Sequence, residues 1–327
     1  MTRTDERTRY RYYTVDVFTA ERFGGNPLAV FPDAVGIPED RLQAIARELN
    51  LSETVFVLPP ESPGHTRRIR IFTPGHEIPF SGHPTVGTAV LLVDLGLVPT
   101  TQGEAKLLFG EGVGPVPVVV RDGTPRFAQL TTAKLPEQGP PPPSREAVAE
   151  VLSLTPADLA PAPDEPETWS CGMPYLYVAL RDRAALARAR FRGDAWERNF
   201  GKDSHAHAVF LFCREPERPG SDVRARMYAP EFGVPEDPAT GSAAAALAGY
   251  LAARDRGGDG TRRVVIEQGF EMGRPSLLTL EIDLRGGAIT AVRVGGHAVL
   301  VAEAEMIISE VESTVSPARH ANANATT

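Results

Sequence analysis

Apolar and polar positions change period twice along this chain, each time at the same kind of junction. In Arg68-Ile69-Arg70-Ile71 the apolar residues fall on every second position, the pattern of a half-buried strand. The pattern breaks at Thr73-Pro74-Gly75 and again at Pro79. It returns as Val86, Ala89, Val90 and Val93, a helical spacing that predicts a helix from about Pro84 to Leu95. Ser81-Gly82-His83-Pro84 therefore lies at a helix N-terminus. Backbone N–H groups without intrahelical partners, together with the positive end of the helix dipole, favour anions there. A glycine lets a ligand approach the backbone, and a neighbouring histidine can move a proton.

The second junction is Met227 to Ala243, with Pro230, Pro235, Asp237, Thr240, Gly241 and Ser242, followed by helical Ala244, Leu247, Ala248 and Leu251. Laid over the first copy, Pro74 meets Pro230, Pro79 meets Pro235 and Ser81 meets Asp237. With small gaps, Thr85 meets Thr240, Gly87 meets Gly241 and Thr88 meets Ser242. Upstream, Gly25-Asn26-Pro27-Leu28 is echoed by Gly172-Met173-Pro174-Tyr175. Two matches in the same order indicate an internal duplication.

Elsewhere, strands are expected at Tyr12 to Val17, Leu28 to Phe31, Ser52 to Leu58, Tyr175 to Leu180, His207 to Cys213, Val223 to Tyr228, Val264 to Gln268, Leu277 to Ile282, Ile289 to Val294 and His297 to Ala302. Helices are expected from Ile37-Pro38 to Leu49 and from the cap Ser144 to about Leu152. The glycines of Gly110 to Pro117 read as a turn between strands and not as a dinucleotide loop, because prolines interrupt them and a valine strand follows. Pro136 to Ser144, with four consecutive prolines, is the candidate linker between lobes, and Pro156 to Pro166 is a second Pro-rich loop. Residues 1–9 read as loose. The expected class is α+β: two lobes, each a mostly antiparallel sheet wrapped around one long helix. The expected division is 10–135, completed by about 298–310, then 136–297, with a polar tail at 313–327.

The length of 327 residues fits two domains. A net charge of −8 without a basic block argues against nucleic acid as a partner. The apolar run from Ala243 to Ala253 is too short to span a bilayer, and the N-terminus lacks the apolar core of a signal peptide. Cys171 and Cys213 show no metal-ligand spacing, and a cytoplasmic location is the default.

Glu53 stands at the mouth of a strand among apolar residues. Desolvated there, it would titrate near neutrality and serve as a base or an acid; exposed, it is merely a strand-entry acid. His83 is either a proton-handling group or a turn histidine bonded to backbone. Asp237 is a helix cap by position, yet the repeat sets it opposite Ser81, which favours two helix ends converging on one ligand. The hydroxyls of Ser242 and Thr88 can hold a carboxylate or simply cap. A Ser81–His83–Asp237 hydrolase triad is disfavoured, because no nucleophile elbow is present. His205 and His207 would share one face of a strand without a third metal ligand, so no metal is expected.

At these residues the chain resembles the PhzF-like (phenazine biosynthesis) isomerase family, related in fold to diaminopimelate epimerase. The resemblance runs from about Tyr13 to Glu305. It rests on Val15-Asp16-Val17-Phe18-Thr19, Gly25 to Val30, Leu51 to Phe56, Phe72-Thr73-Pro74, Glu77 to Thr85, Glu236 to Ala243, Gln268-Gly269, Met272 to Ser276 and Val294-Gly295-Gly296. It implies two pseudo-symmetric lobes with the active site at the two helix N-termini between them. It also implies Glu53 as the acid/base acting without cofactor on a small carboxylate-bearing substrate, assisted by His83 and Asp237. Gly82, Gly241, Ser242 and Ser81 are the implied substrate contacts, with Asn26 a further one. Family members are often homodimers. The epimerase relatives use a cysteine at each helix start; Ser81 and Asp237 hold those places here, which disfavours a two-thiol racemisation. A non-catalytic binding protein, or an epimerase using Glu53 and His83 on opposite faces of its substrate, are the alternative readings.

Overall fold

A computed structural model describes residues 8–201, 204–254 and 258–308. Its first half runs β1 (Thr8–Val17), β2 (Asn26–Phe31), α1 (Glu39–Leu49), β3 (Glu53–Leu58), β4 (Arg67–Phe72), β5 (Glu77–Ile78), α2 (Gly82–Asp94), β6 (Glu104–Glu111), β7 (Gly114–Arg121) and β8 (Phe127–Thr131). Its second half runs β9 (Glu137–Gln138), α3 (Arg145–Val151), β10 (Glu167–Ser170), β11 (Pro174–Ala179), α4 (Arg183–Arg188), α5 (Gly193–Asn199), β12 (Val209–Cys213), β13 (Val223–Ala229), β14 (Val234–Asp237), α6 (Gly241–Arg254), β15 (Gly260–Gln268), β16 (Ser276–Arg285) and β17 (Ala288–Ile308).

The duplication is visible in the pairing. β1–β2 is antiparallel, β2–β3 parallel, β3–β4 antiparallel, β4–β6 parallel, and β6–β7–β8 antiparallel. β10–β11, β11–β12, β12–β13, β13–β15 and β15–β16–β17 repeat those senses in the same order. β17 also pairs with β8 and with β1, so the first half closes on itself as a barrel. Each half rolls around its own helix.

Both central helices are apolar on every side, which is what a helix enclosed by a sheet requires. α2 is buried from Gly82 to Val93, and α6 from Gly241 to Leu251. The alanine run of α6 keeps that helix slim enough for Trp169 and Pro136 to pack directly on Gly249.

Several sequence expectations change. Thr8 and Arg9 are strand residues, paired with Ile308 and Ile307, whereas residues 1–7 and 309–327, the latter including the tail, lie outside the described residues. The two strands expected after Ile289 are one, because Gly295-Gly296 continues the ladder with β8 instead of turning. His205 and His207 precede β12, which begins only at Val209; His207 instead contacts Glu231 at 2.8 Å. The expected linker carries β9, whose residues pair with Trp169 and Ser170. The turn expected within Gly110 to Pro117 is present at Gly112-Val113 between β6 and β7, while Gly110 and Gly114 pair in the ladder.

The repeat register also shifts. α2 begins at Gly82 and α6 at Gly241, and these two glycines pack against each other. The residues just before the helices are therefore Ser81 and Thr240, not Ser81 and Asp237. Ser242 corresponds by position to His83, and Thr88 lies a turn deeper in α2. Gaps in a sequence overlay carry no distance, whereas two backbones in contact fix the correspondence.

Candidate active site

The N-termini of α2 and α6 meet head to head. A Cβ built on Gly82 would stand 2.6 Å from the Gly241 Cα, so only two glycines permit this approach. The first-turn N–H groups of both helices converge on one region, since no intrahelical acceptor exists for them.

Glu53 reaches that region from the start of β3. Its strand lies parallel to β2, where Leu28 pairs with Glu53 two residues after Asn26. The side chain exposes 12% of its surface and lines a pocket of about 430 Å³, counting its open mouth. Ser81 Oγ donates to Glu53 Oε1 at 3.2 Å. His83 Nε2 stands 3.2 Å from Glu53 Oε2, in contact but without the alignment of a hydrogen bond.

His83, Asn26 and Asp237 form one buried network. Asn26 Nδ2 donates to Asp237 Oδ1 at 2.8 Å and to the Ala239 carbonyl at 2.9 Å, and lies 3.2 Å from His83 Nδ1. The two oxygen acceptors fix the orientation of the Asn26 amide. Its donor side therefore faces Nδ1, which assigns the imidazole proton to Nε2, toward Glu53. Thr240 Oγ1 donates to Asp237 Oδ2 at 2.6 Å. Gln268 braces this corner, accepting from the Thr240 N–H and donating to the Asp237 carbonyl.

Burial sets the proton affinities. It pushes the Glu53 carboxyl well above its ordinary value, the Asp237 charge adds to the rise, and the Ser81 hydroxyl pulls back. Burial raises Asp237 to about 6, against the pull of Thr240, Asn26 and Ser52. Burial lowers His83 to about 3, so its contact with Glu53 near neutrality is not an ion pair. The site thus holds two carboxyls whose proton affinities burial raises beside a neutral imidazole.

Of the residues singled out from the sequence, Asn26, Glu53, Ser81, Gly82, His83, Asp237, Gly241 and Ser242 gather at the junction of α2 and α6, whereas Thr88 lies a turn deeper in α2. Sequence reading missed Tyr175, whose hydroxyl is 2.7 Å from Ser242 Oγ and which lines the pocket. It also missed the apolar wall, including Phe80, Met173, Met227 and Phe232. The echo of Asn26-Pro27-Leu28 in Met173-Pro174-Tyr175 was the available signal for two of these. Among the described residues no cluster of His, Cys, Asp and Glu has metal-binding geometry, and no helix is long and apolar enough to cross a membrane.

A doubled β-roll with a polar junction between two helix N-termini defines the class. The sequence profile of phenazine biosynthesis-like proteins matches residues 15–304, and the chain belongs to that family. An uncharacterized isomerase of Mesorhizobium japonicum is 43% identical over 301 residues, covering 91% of this chain and 98% of its own. The trans-2,3-dihydro-3-hydroxyanthranilate isomerase of Pseudomonas aeruginosa is 34% identical, covering 90% and 98%. The crystal structure of a Bacillus anthracis phenazine biosynthesis protein of the PhzF family superposes with a TM-score of 0.83 at 25% identity, covering 92% of this chain and all of that one. The chain is an isomerase of this family, with an α+β, diaminopimelate epimerase-like fold.

Proposed function

We propose that the protein moves a proton between two positions of a small, carboxylate-bearing substrate, with Glu53 as the proton carrier. The carboxylate of Glu53 takes a proton from a carbon next to a conjugated centre. The C–H electrons enter the conjugated system, and the proton returns at its far end. Atoms and electrons balance within the substrate, so the step needs no oxidant or reductant. The first-turn N–H groups of Gly82, Gly241 and Ser242 would receive the substrate carboxylate. His83 Nε2–H would hold Glu53 toward the pocket, and Asp237, braced by Asn26 and Thr240, would share the proton inventory.

The asymmetry of the duplicated site carries this reading. β11 and β12 repeat the parallel pairing of β2 and β3, with Leu176 across from Val209. One residue back along each strand stand Tyr175 and Ala208, the latter accepting from the Leu176 N–H, and both line the pocket. The position equivalent to Glu53 in the second half is therefore an alanine. A single carboxyl at the strand mouths suits one-carrier transfer. It does not suit a matched pair of bases, and His83, in contact with Glu53, cannot stand on the opposite face of a substrate.

The test is solvent deuterium exchange with trans-2,3-dihydro-3-hydroxyanthranilate, the compound in the Pseudomonas aeruginosa relative's name, alongside other unsaturated cyclic carboxylic acids. Wild type should incorporate deuterium at the far end of the conjugated system, and Glu53→Gln should lose at least about 100-fold of that rate while remaining folded. Full turnover by Glu53→Gln removes the mechanism. Binding without exchange across the whole set favours a non-catalytic binding protein, and exchange confined to one stereocentre favours an epimerase.

A further inference from the structure

Behind the site, a third buried carboxyl takes no part in the mechanism described above. Glu111 ends β6, is nine-tenths buried, and reaches α2 at Thr85. We propose that Glu111, acting through Thr85 and Ser81, is a positioning residue for Glu53; this rests on the reading of Glu53 as proton carrier.

The argument begins with a proton count. Thr85 Oγ1 lies 2.8 Å from the Ser81 carbonyl oxygen and 2.8 Å from Glu111 Oε1. A hydroxyl has one proton to donate, and both neighbours are acceptors if Glu111 is ionised. Both short contacts are full hydrogen bonds only when Glu111 carries a proton and donates to Thr85 Oγ1, leaving the Thr85 proton for Ser81. Its surroundings agree. Among the described residues Oε2 of Glu111 has no hydrogen-bond partner, and burial raises the carboxyl to about 8 against the pull of Thr85.

The charged groups around it do not relieve this. The groove beside Glu111 is lined by Glu61, His65, Arg68, Arg70 and Glu77 from the β3–β4 turn, β4 and β5. Arg68 is engaged by Glu61, and Arg70 by Glu39 and Glu77. The ring of His65 rests against Gly110. On the α2 side Glu111 faces the Thr85 hydroxyl.

The Ser81 carbonyl is where this matters. The first backbone bond of α2, from Thr85 N–H to Ser81 O, is long at 3.4 Å, so the Thr85 hydroxyl at 2.8 Å is the shorter hold on that residue. Ser81 in turn donates to Glu53, and this hydrogen bond lowers the Glu53 proton affinity. A neutral acid at 111 therefore locks Thr85, Thr85 locks Ser81, and Ser81 tunes Glu53.

The test reads Glu53 directly and needs no substrate. In full-length protein carrying ¹³C-labelled glutamate carboxyls, the signals of Glu53 and Glu111 are assigned with Glu53→Gln and Glu111→Gln and titrated by NMR. Thr85→Val should raise the Glu53 midpoint by about half a pH unit or more. Thr85→Ser and Glu111→Gln, each retaining a donor in place, should leave it within about 0.2 unit, whereas Glu111→Leu should move it as Thr85→Val does. Glu111 should titrate near neutrality or above. An unmoved Glu53 in folded Thr85→Val, or a Glu111 titrating in the ordinary carboxylate range, overturns the proposal. A shifted Glu53 in a protein whose Glu53→Gln variant still turns over would leave the coupling standing and remove only the catalytic reading.

Discussion

Gly82 and Gly241 touch across the junction of the two halves, each the first residue of its central helix. A methyl group on either would enter the other's backbone, at 2.6 Å from the Gly241 Cα in one case and 2.8 Å from the Gly82 Cα in the other. Neither contact involves a flexible side-chain end, so neither can yield without moving a helix terminus. Gly82→Ala should therefore cost about 1–3 kcal/mol of stability. It should also lower turnover at least tenfold, because both donor sets shift together. Urea unfolding and steady-state kinetics check this; a variant with wild-type stability and rate would show that the helix ends are not tightly opposed.

Asn26 supplies two donors to the buried Asp237 corner. Asn26→Leu fills the same space without them, leaving the Ala239 carbonyl and Asp237 Oδ1 short of partners. A loss of about 1–3 kcal/mol is expected, with Asp237 titrating higher still. The carboxyl signal of Asp237 followed by NMR against pH, together with the melting temperature, provides the measurement.

Ser81→Ala removes the hydroxyl that lowers Glu53. The pH–rate profile should move to higher pH, with little change in substrate affinity if Ser81 acts on Glu53 alone. An unchanged profile would mean that the 3.2 Å contact has no electrostatic consequence.

Stability against pH should have opposed slopes. Folded His83 releases its proton near 3, and the unfolded side chain near 6.5. The unfolded chain thus binds more protons between these values, and this contribution to stability grows as pH rises through that window. Asp237 and Glu111 have the opposite sign. Their folded forms keep protons up to about 6 and about 8 that the unfolded forms lose near 3.8 and 4.5, so their contribution declines as pH rises. Above pH 6.5, of these three groups, Glu111 is the one whose folded form still holds its proton. Unfolding free energy should fall between pH 6.5 and 8, and Glu111→Gln should make that fall shallower. An identical slope in the two proteins would place the ionisation elsewhere.

Much of this site was legible because its chemistry sits at chain punctuation. Proline and glycine next to Ser81, His83, Asp237 and Ser242 mark both helix starts in any reading of the sequence. Periodicity also separated the strands from the two apolar helices, since local burial pattern and local backbone period are coupled. Glu53 was recognisable as a polar residue at the mouth of an apolar strand. What it faces was not, because His83 and Ser81 are about thirty residues away along the chain.

The amino-acid sequence by itself determined the α+β class, the duplication and the residue types at both helix starts, all of which depend on neighbours along the chain. Only the tertiary structure decided that Gly82 meets Gly241, that Ala208 stands where a second Glu53 would, and that Thr85 bridges Ser81 to a buried Glu111. Those relationships depend on the distance between segments after the sheets close, and on burial that removes water from specific carboxyls. Neither quantity is written in the order of residues.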